Sequence, residues 1–461
     1  MQFSRLIFAL LLLCGLATLA VADVDISGKS YPSVQAALDA NPGQLLRLPA
    51  GDYPLEHALR ITKSGSGLCG EGRLIQSNPA EDIIVIDKAD DVRIRDLVLT
   101  RAEGKQDATQ AAISAQGCAG LEISNVQIHE NRSPKGSIYL KECRQSRVNG
   151  CLVRNYKRIS IDDRTASKDL SGYAFRCIDG TGIQVNASQG IQITNNRVLE
   201  FNYIPTKENR DKYNLGSLTV VPEKPGRLMP KDVFETHYTN NWHQGAGLQV
   251  SGPEKGDFVT ITGNYFENPA QGMDIHCDHV VIANNEVNHA MIGMKAMHGS
   301  KHVLIEGNQF AYCDLWGLML MPGSASHAAQ AATGDKPARE DNSDGGTIVA
   351  HNIFSGFGMG DQYWNWEGRK TEYPERNPIV VLFGQLEENP PIRDIIITGN
   401  MVYDTGRDQK LVDGKPTTIA PKYFYALYVE PTRQPAPQRV QVRDNMFDPG
   451  MSGATNLPLA Q

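Results

Sequence analysis

The chain has 461 residues, 41% hydrophobic and 21% charged, with 43 Gly, 25 Pro and a formal net charge of −7. That balance excludes a disordered, collagenous or polytopic membrane protein, and without a basic excess a general nucleic-acid binder is excluded too. At roughly 150 residues per domain the length would give about three globular domains, unless the chain is one elongated repeat.

Residues 1–22 place Arg5 ahead of the apolar run Leu6–Leu13 and end in Ala20-Val21-Ala22 before Asp23, the layout of a cleavable secretory signal. The mature chain, 23–461, is expected to be secreted or periplasmic and to carry no membrane span. Cys14 would take a lipid only behind a small residue, and Leu13 stands there. Removing Cys14 leaves Cys69, Cys118, Cys143, Cys151, Cys177, Cys277 and Cys313, an odd set that leaves at least one thiol free even in an oxidising compartment.

From residue 182 onward the chain repeats. Gly182, Gly247, Gly272, Gly293 and Gly317 each open a short strand whose first and third following residues are apolar: Ile183/Val185, Leu248/Val250, Met273/Ile275, Met294/Ala296 and Leu318/Leu320. Period-2 patterning turns these inward. A second ladder is Asn196, Asn264, Asn285, Asn308, Asn352, Asn400 and Asn445, each preceded by Ile or Val at −3 and followed by Val or Phe at +2. Asparagine tolerates a left-handed corner and can bond its own kind in the next layer. Strands recurring at this spacing with no helix between them pair with the coil above and below, which predicts an all-β fold, a single parallel β-solenoid. Cys118 and Cys143, 25 residues apart, should then stack in neighbouring coils. Three insertions break the repeat at 203–246, 322–346 and 360–378. The second is Ala/Gly/Ser/Asp-rich and expected to be mobile, and long loops on a rigid scaffold are where binding residues gather.

This pattern resembles the right-handed parallel β-helix of the pectate-lyase-like superfamily. Ser33-Val34-Gln35-Ala36-Ala37-Leu38, then Leu45–Leu48 and Pro49-Ala50-Gly51-Asp52-Tyr53, are similar to that superfamily's opening, which implies a short amphipathic helix plugging the barrel end. The superfamily holds lyases, hydrolases, epimerases and non-catalytic proteins, so fold alone does not choose a function.

On the Gly-led strands the second and fourth positions point outward. They form one column Gln184, Gln249, Asp274, Lys295, Met319 and another Asn186, Ser251, His276, Met297, Met321. Neighbours lie about 4.8 Å apart across strands and about 6.7 Å apart along one, so Asp274, His276 and Lys295 form a triangle that could hold one sugar unit, with His298 on the following turn. A cation to neutralise a uronate carboxylate, a base for the C5 proton and an acid for the other side suit C5 proton abstraction. Lys295 is the natural neutraliser and His276 the natural base, with Asp274 holding it. Gln249, Met319 and the loop residues His243, Trp242, Tyr238, Trp364 and Trp366 are candidate substrate-binding groups.

Gly272-Met273-Asp274-Ile275-His276-Cys277 resembles the Asp-Pro-His-Asp strand of periplasmic mannuronan C5-epimerases, with Ile275 for the proline and Cys277 for the second aspartate. The resemblance implies an acidic polysaccharide as partner and a lyase or C5-epimerase as activity. A non-catalytic carbohydrate-binding solenoid and a hydrolase stay open. The hydrolase would need a carboxylate pair such as Asp274 with Asp278 or Asp314, since adjacent Asp162 and Asp163 point to opposite faces of a strand. An Asp274–Lys295 contact is also what a surface ion pair gives, worth about 0–1 kcal/mol. No zinc spacing occurs around His276, Asp278 and His279. Glu340–Gly346 offers oxygen ligands without the full calcium-loop pattern, so no cofactor is expected beyond a weak signal for calcium.

Overall fold

The computed structural model describes residues 24–25, 31–161, 174–219, 242–357, 377–403, 409–418 and 421–458. Among them the chain winds as a parallel β-helix, with two long sheets of 23 and 12 strands. Each regular coil contributes three strands. Ala246–Ser251, Asp257–Thr262 and Tyr265–Glu267 are one such set, pairing in parallel with Gln271–Ile275, Asp278–Ala283 and Glu286–Asn288 of the next coil. The opening is closed by the helix Val34–Ala40, capped by Ser33 and burying Val34, Ala37 and Leu38. Among the described residues no helix is long and apolar enough to cross a membrane. The signal segment lies outside them.

The Gly-led strands run in the predicted register: Ile183, Leu248, Met273, Met294 and Leu318 align, as do Gln184, Gln249, Asp274, Lys295 and Met319. The glycines are there for close approach, because a Cβ on Gly247 would lie 2.5 Å from the Phe266 ring and 2.9 Å from the Gly272 carbonyl. Their neighbours Val198, Phe266, Val287, Phe310 and Phe354 come across the barrel from the second ladder and are fully buried.

The asparagine ladder forms, with one correction to its physics. Asn196, Asn264, Asn285, Asn308, Asn352 and Asn400 each donate Nδ2–H to the Oδ1 of the next, at 2.9–3.0 Å, as far as Asn445. The same Oδ1 accepts the preceding rung's backbone N–H, and Nδ2 also reaches a carbonyl of the preceding coil, such as Ile261 O from Asn285. The left-handed residue is the one before each ladder Asn: Asn195, Gly263, Asn284, Gly307, His351, Gly399 and Asp444 have φ between 55° and 70°. The ladder Asn bonds and its predecessor turns. The wide gaps after Asn308 are single coils carrying insertions, because the strands around Asn308 and Asn352 pair directly.

The seven described cysteines are buried, and Cys118, Cys143, Cys151, Cys277 and Cys313 are free thiols, with Cys118 and Cys143 in successive coils as expected. The 203–246 insertion contains a helix, Lys207–Tyr213, which the sequence reading left as loop. It buries none of its residues and is held by Thr206 at one end and left-handed Asn214 at the other.

Candidate active site

Strand Gln271–Ile275 brings Asp274 into the outer column between Gln249 and Lys295. There the carboxylate is only 4% exposed. Its Oδ1 lies 2.7 Å from His276 Nε2 and 3.3 Å from Lys295 Nζ, and its Oδ2 accepts from Gln249 Nε2 at 3.2 Å. Burial opposes the charge, but the electrostatic pull of the neighbouring His276 and Lys295, with the Gln249 hydrogen bond, outweighs it and holds the Asp274 carboxyl well below the usual range. The His276–Asp274 contact is short yet not aligned as a hydrogen bond, and such contacts tighten when substrate binds. With Nε2 turned to the carboxylate, Nδ1 is the nitrogen left to act as a base.

His298, at φ 63° on the turn of the next coil, sets its ring edge against His276 with centroids 4.3 Å apart at 77°. Burial first, then the charges of His276 and Lys295, push its pKa down to about 3, so it is neutral. Its Nδ1 accepts the Ala325 N–H at 3.2 Å. The ring proton is therefore on Nε2, which makes His298 a hydrogen-bond donor and not a second base.

Ala325 belongs to the 322–346 insertion, which folds back on itself through antiparallel bridges His327–Asn342, Gln330–Arg339 and Thr333–Lys336. Asp344 anchors its base, accepting the N–H groups of Gly299 and Ser300 at 2.9 and 3.0 Å and the Ser326 hydroxyl. Asn342 ties His298 O to Ala325 O at 3.0 and 2.7 Å. Of the oxygen ligands proposed for calcium, Asp344 is thus engaged by N–H and O–H donors, and Asp341 by Ser343 and Lys301.

Upstream of Asp274 the column opens into a cleft of about 410 Å³, lined among others by Lys135, Tyr139, Asp179, Gln184, Gln249 and Asp274. A polar string runs along its floor, Gly136 N–H to Gln184 Oε1 (3.1 Å), Gln184 Nε2 to Gln249 Oε1 (2.9 Å), and on to Asp274. Lys135 stands 5.0 Å from the Tyr139 ring centroid, its ammonium bonded to Gln110 Oε1 at 3.1 Å. Lys135, Tyr139 and Asp179 escaped the sequence reading, which traced the Gly-led ladder only from Gly182. Tyr139 could have been found by extending it one coil back, since it aligns with Gln184.

Several predicted binding residues are placed elsewhere. Trp242 and His243 are buried at 3% and 1% exposure, not on the groove. His243 Nε2 lies 2.6 Å from the ammonium of fully buried Lys157, and burial together with that charge holds the ring neutral, well below its ordinary pKa. Met319 points outward but is covered, packing with Met297, Val380, Leu382 and Tyr428, so it offers no open face to a sugar. Tyr238, Trp364, Trp366 and the Asp162–Asp163 pair lie outside the described residues. Of the proposed carboxylate partners, Asp314 is fully buried and Asp278 is turned to His302 at 2.7 Å; neither lines the cleft.

A family model described as "Right handed beta helix region" matches residues 71–203. With the parallel sheets of the described residues, the match gives the fold as a right-handed parallel β-helix. Among solved structures, an exopolygalacturonase from Thermotoga maritima is 11% identical, with 79% of this chain and 81% of that one covered and a TM-score of 0.49. The A-module of mannuronan C-5 epimerase AlgE4 from Azotobacter vinelandii is 12% identical, with 92% of each chain covered and a TM-score of 0.48. A DFA-IIIase from Arthrobacter chlorophenolicus is 12% identical over 96% of this chain and 100% of that one, with a TM-score of 0.49. No curated protein matches the chain.

Proposed function

We propose that this protein is an exported enzyme that binds an acidic polysaccharide along the outer face of its Gly-led strands and removes the C5 proton of a uronate residue at Asp274, His276, Lys295 and His298. The observation that carries this reading is the Asp274 carboxylate with an imidazole at 2.7 Å and an ammonium at 3.3 Å on the same oxygen, at the end of a polar cleft. His276 takes the proton through Nδ1 while Asp274 orients the ring and stabilises the imidazolium that forms. Lys295 neutralises the uronate carboxylate, lowering the cost of the developing enolate, and the Nε2–H of neutral His298 is a further donor for it. Gln249, Gln184, Tyr139 and Lys135 hold the neighbouring sugars. Return of a proton from water in the open cleft to the opposite face gives epimerisation; expulsion of the C4 oxygen, protonated by the His276 imidazolium or by water, gives a lyase.

A hydrolase reading has one observation in its favour, since Asp179 lines the same cleft as Asp274. Asp274, held anionic, would be the nucleophile or the base, and Asp179 the acid. One experiment separates the readings: the mature protein in deuterated water with alginate, polygalacturonate or a glycosaminoglycan, followed by proton NMR. Deuterium at C5, lost by about 100-fold or more in Lys295→Ala and His276→Ala, is the expected outcome, and unsaturated ends mark the lyase. Reducing ends without C5 exchange favour hydrolysis. Binding without either product leaves a carbohydrate-binding solenoid.

A further inference from the structure

Away from the cleft, the first turn of each long-sheet strand sets Phe258, His279 and His302 in one file. All three take the left-handed conformation, with φ of 54°, 47° and 53°, a costly choice for an aromatic or imidazole side chain repeated in three successive coils. The rings stack, Phe258 on His279 at 4.8 Å and His279 on His302 at 4.4 Å, nearly parallel. Aspartates precede two of them. Asp257 Oδ1 lies 2.9 Å from His279 Nδ1, and Asp278 Oδ1 lies 2.7 Å from His302 Nδ1 and 3.5 Å from His279 Nδ1.

We propose that Asp278, His279 and His302 form a binding site for a divalent transition-metal ion, zinc or a metal of similar preference, bridging two successive coils. One ligand atom from each residue lies within 4.8 Å of the other two. Ligands held at about 2.0–2.2 Å in a tetrahedral shell stand about 3.3 Å apart, and the observed separations of 2.7 and 3.5 Å bracket that value. The His279 and His302 rings stack at 4.4 Å and 18°, so the two imidazoles must turn out of the stack to aim both nitrogens at one ion, a motion open to them because both are exposed. Two imidazoles and one carboxylate suit zinc, cobalt, nickel or copper better than magnesium or calcium, which prefer all-oxygen shells. The rigid ladder fixes the ligands: Asp257 and Asp278 are in register, as are Val280 and Val303, and Asp278 Oδ1 also accepts the His279 N–H at 2.8 Å. Asp257 steadies the His279 ring through Nδ1 until the ion takes that nitrogen. Both imidazoles are solvent-accessible, 42% and 57% exposed, so an ion can reach them and water can complete the shell.

The test is calorimetric titration of the tag-free, full mature chain with zinc chloride, with cobalt chloride followed by visible absorption. One ion per chain is expected, with affinity falling at least tenfold in His302→Ala and unchanged in His351→Ala, whose exposed imidazole pairs with Glu306 instead. Zinc should raise the melting temperature of the wild type and leave that of His302→Ala where it was. Absence of saturable one-to-one binding overturns the proposal, as does wild-type affinity in both His302→Ala and Asp278→Asn.

Discussion

Two files of polar side chains cross successive coils of this molecule and treat their hydrogen bonds in opposite ways. Inside, the asparagine ladder closes every valence: Asn285 accepts from Asn264 twice and donates to Asn308 and to Ile261 O. Outside, the column Gln184–Gln249–Asp274–Lys295 is joined in sequence but not finished. It ends in a buried carboxylate oxygen that touches two potential cations without an aligned bond. A closed buried network fixes one structure. A column of charges left partly unmatched retains groups for a substrate to complete, at some cost in stability.

The sharpest way to break the contrast is inside. Asn285→Ala would leave the Asn264 N–H and Nδ2–H without their acceptor and take the Nδ2–H donor from the Ile261 carbonyl and from Asn308 Oδ1, which keeps only the residue 285 N–H, in a region closed to water. At about 1–3 kcal/mol for an orphaned group, partly relieved by relaxation, a loss of about 3–5 kcal/mol in urea unfolding is expected. A loss under about 1 kcal/mol would mean that the ladder follows the coil and does not hold it.

The next effect is in the outer cluster and is read by pH. His298 has its pKa lowered to about 3 in the folded protein against 6.5 unfolded. The unfolded chain therefore takes up the proton first, and the stability gained by keeping the ring neutral is complete above about pH 6.5 and lost as pH falls toward 3. Allowing for partial exposure, on the order of 2 kcal/mol should disappear over that window. His298→Gln, compared with wild type in denaturant titrations at pH 7 and pH 4.5, should flatten this part of the profile. An unchanged slope would show that His298 is not held neutral by its burial beside His276 and Lys295.

Most of this architecture can be read in the sequence, because a solenoid repeats its physics locally. Gly followed by alternating apolar residues is a statement about one strand, and the register of Gln184, Gln249, Asp274, Lys295 and Met319 follows by stacking. The same pattern brought Asp274, His276 and Lys295 together before any coordinates. What it could not supply was cover. Met319 is an outward residue in its own strand, and the Val380, Leu382 and Tyr428 that bury it arrive more than 60 residues later, across an insertion. Trp242 and His243 read as loop residues with binding chemistry, and nothing local announces that Lys157, 86 residues away, holds His243 inside. The corner conformation was assigned one residue late for a related reason: bonding and turning both favour Asn, and here adjacent residues divide those tasks.

The smallest predicted effect decides the comparison. Gln249 donates to Asp274 and accepts from Gln184, two side-chain bonds against the four of Asn285. It differs in being only half-buried at the edge of the cleft, where water can take over both bonds at little cost. Gln249→Ala should therefore cost less than about 1 kcal/mol in unfolding free energy. It should raise KM for a polymeric substrate several-fold while kcat, which the proposed mechanism assigns to His276 and Lys295, moves little, the signature of lost uniform binding. If Gln249→Ala instead unfolds the protein as readily as Asn285→Ala, the outer column is a second structural ladder. The distinction between a closed inner file and an outer file held ready for substrate then fails.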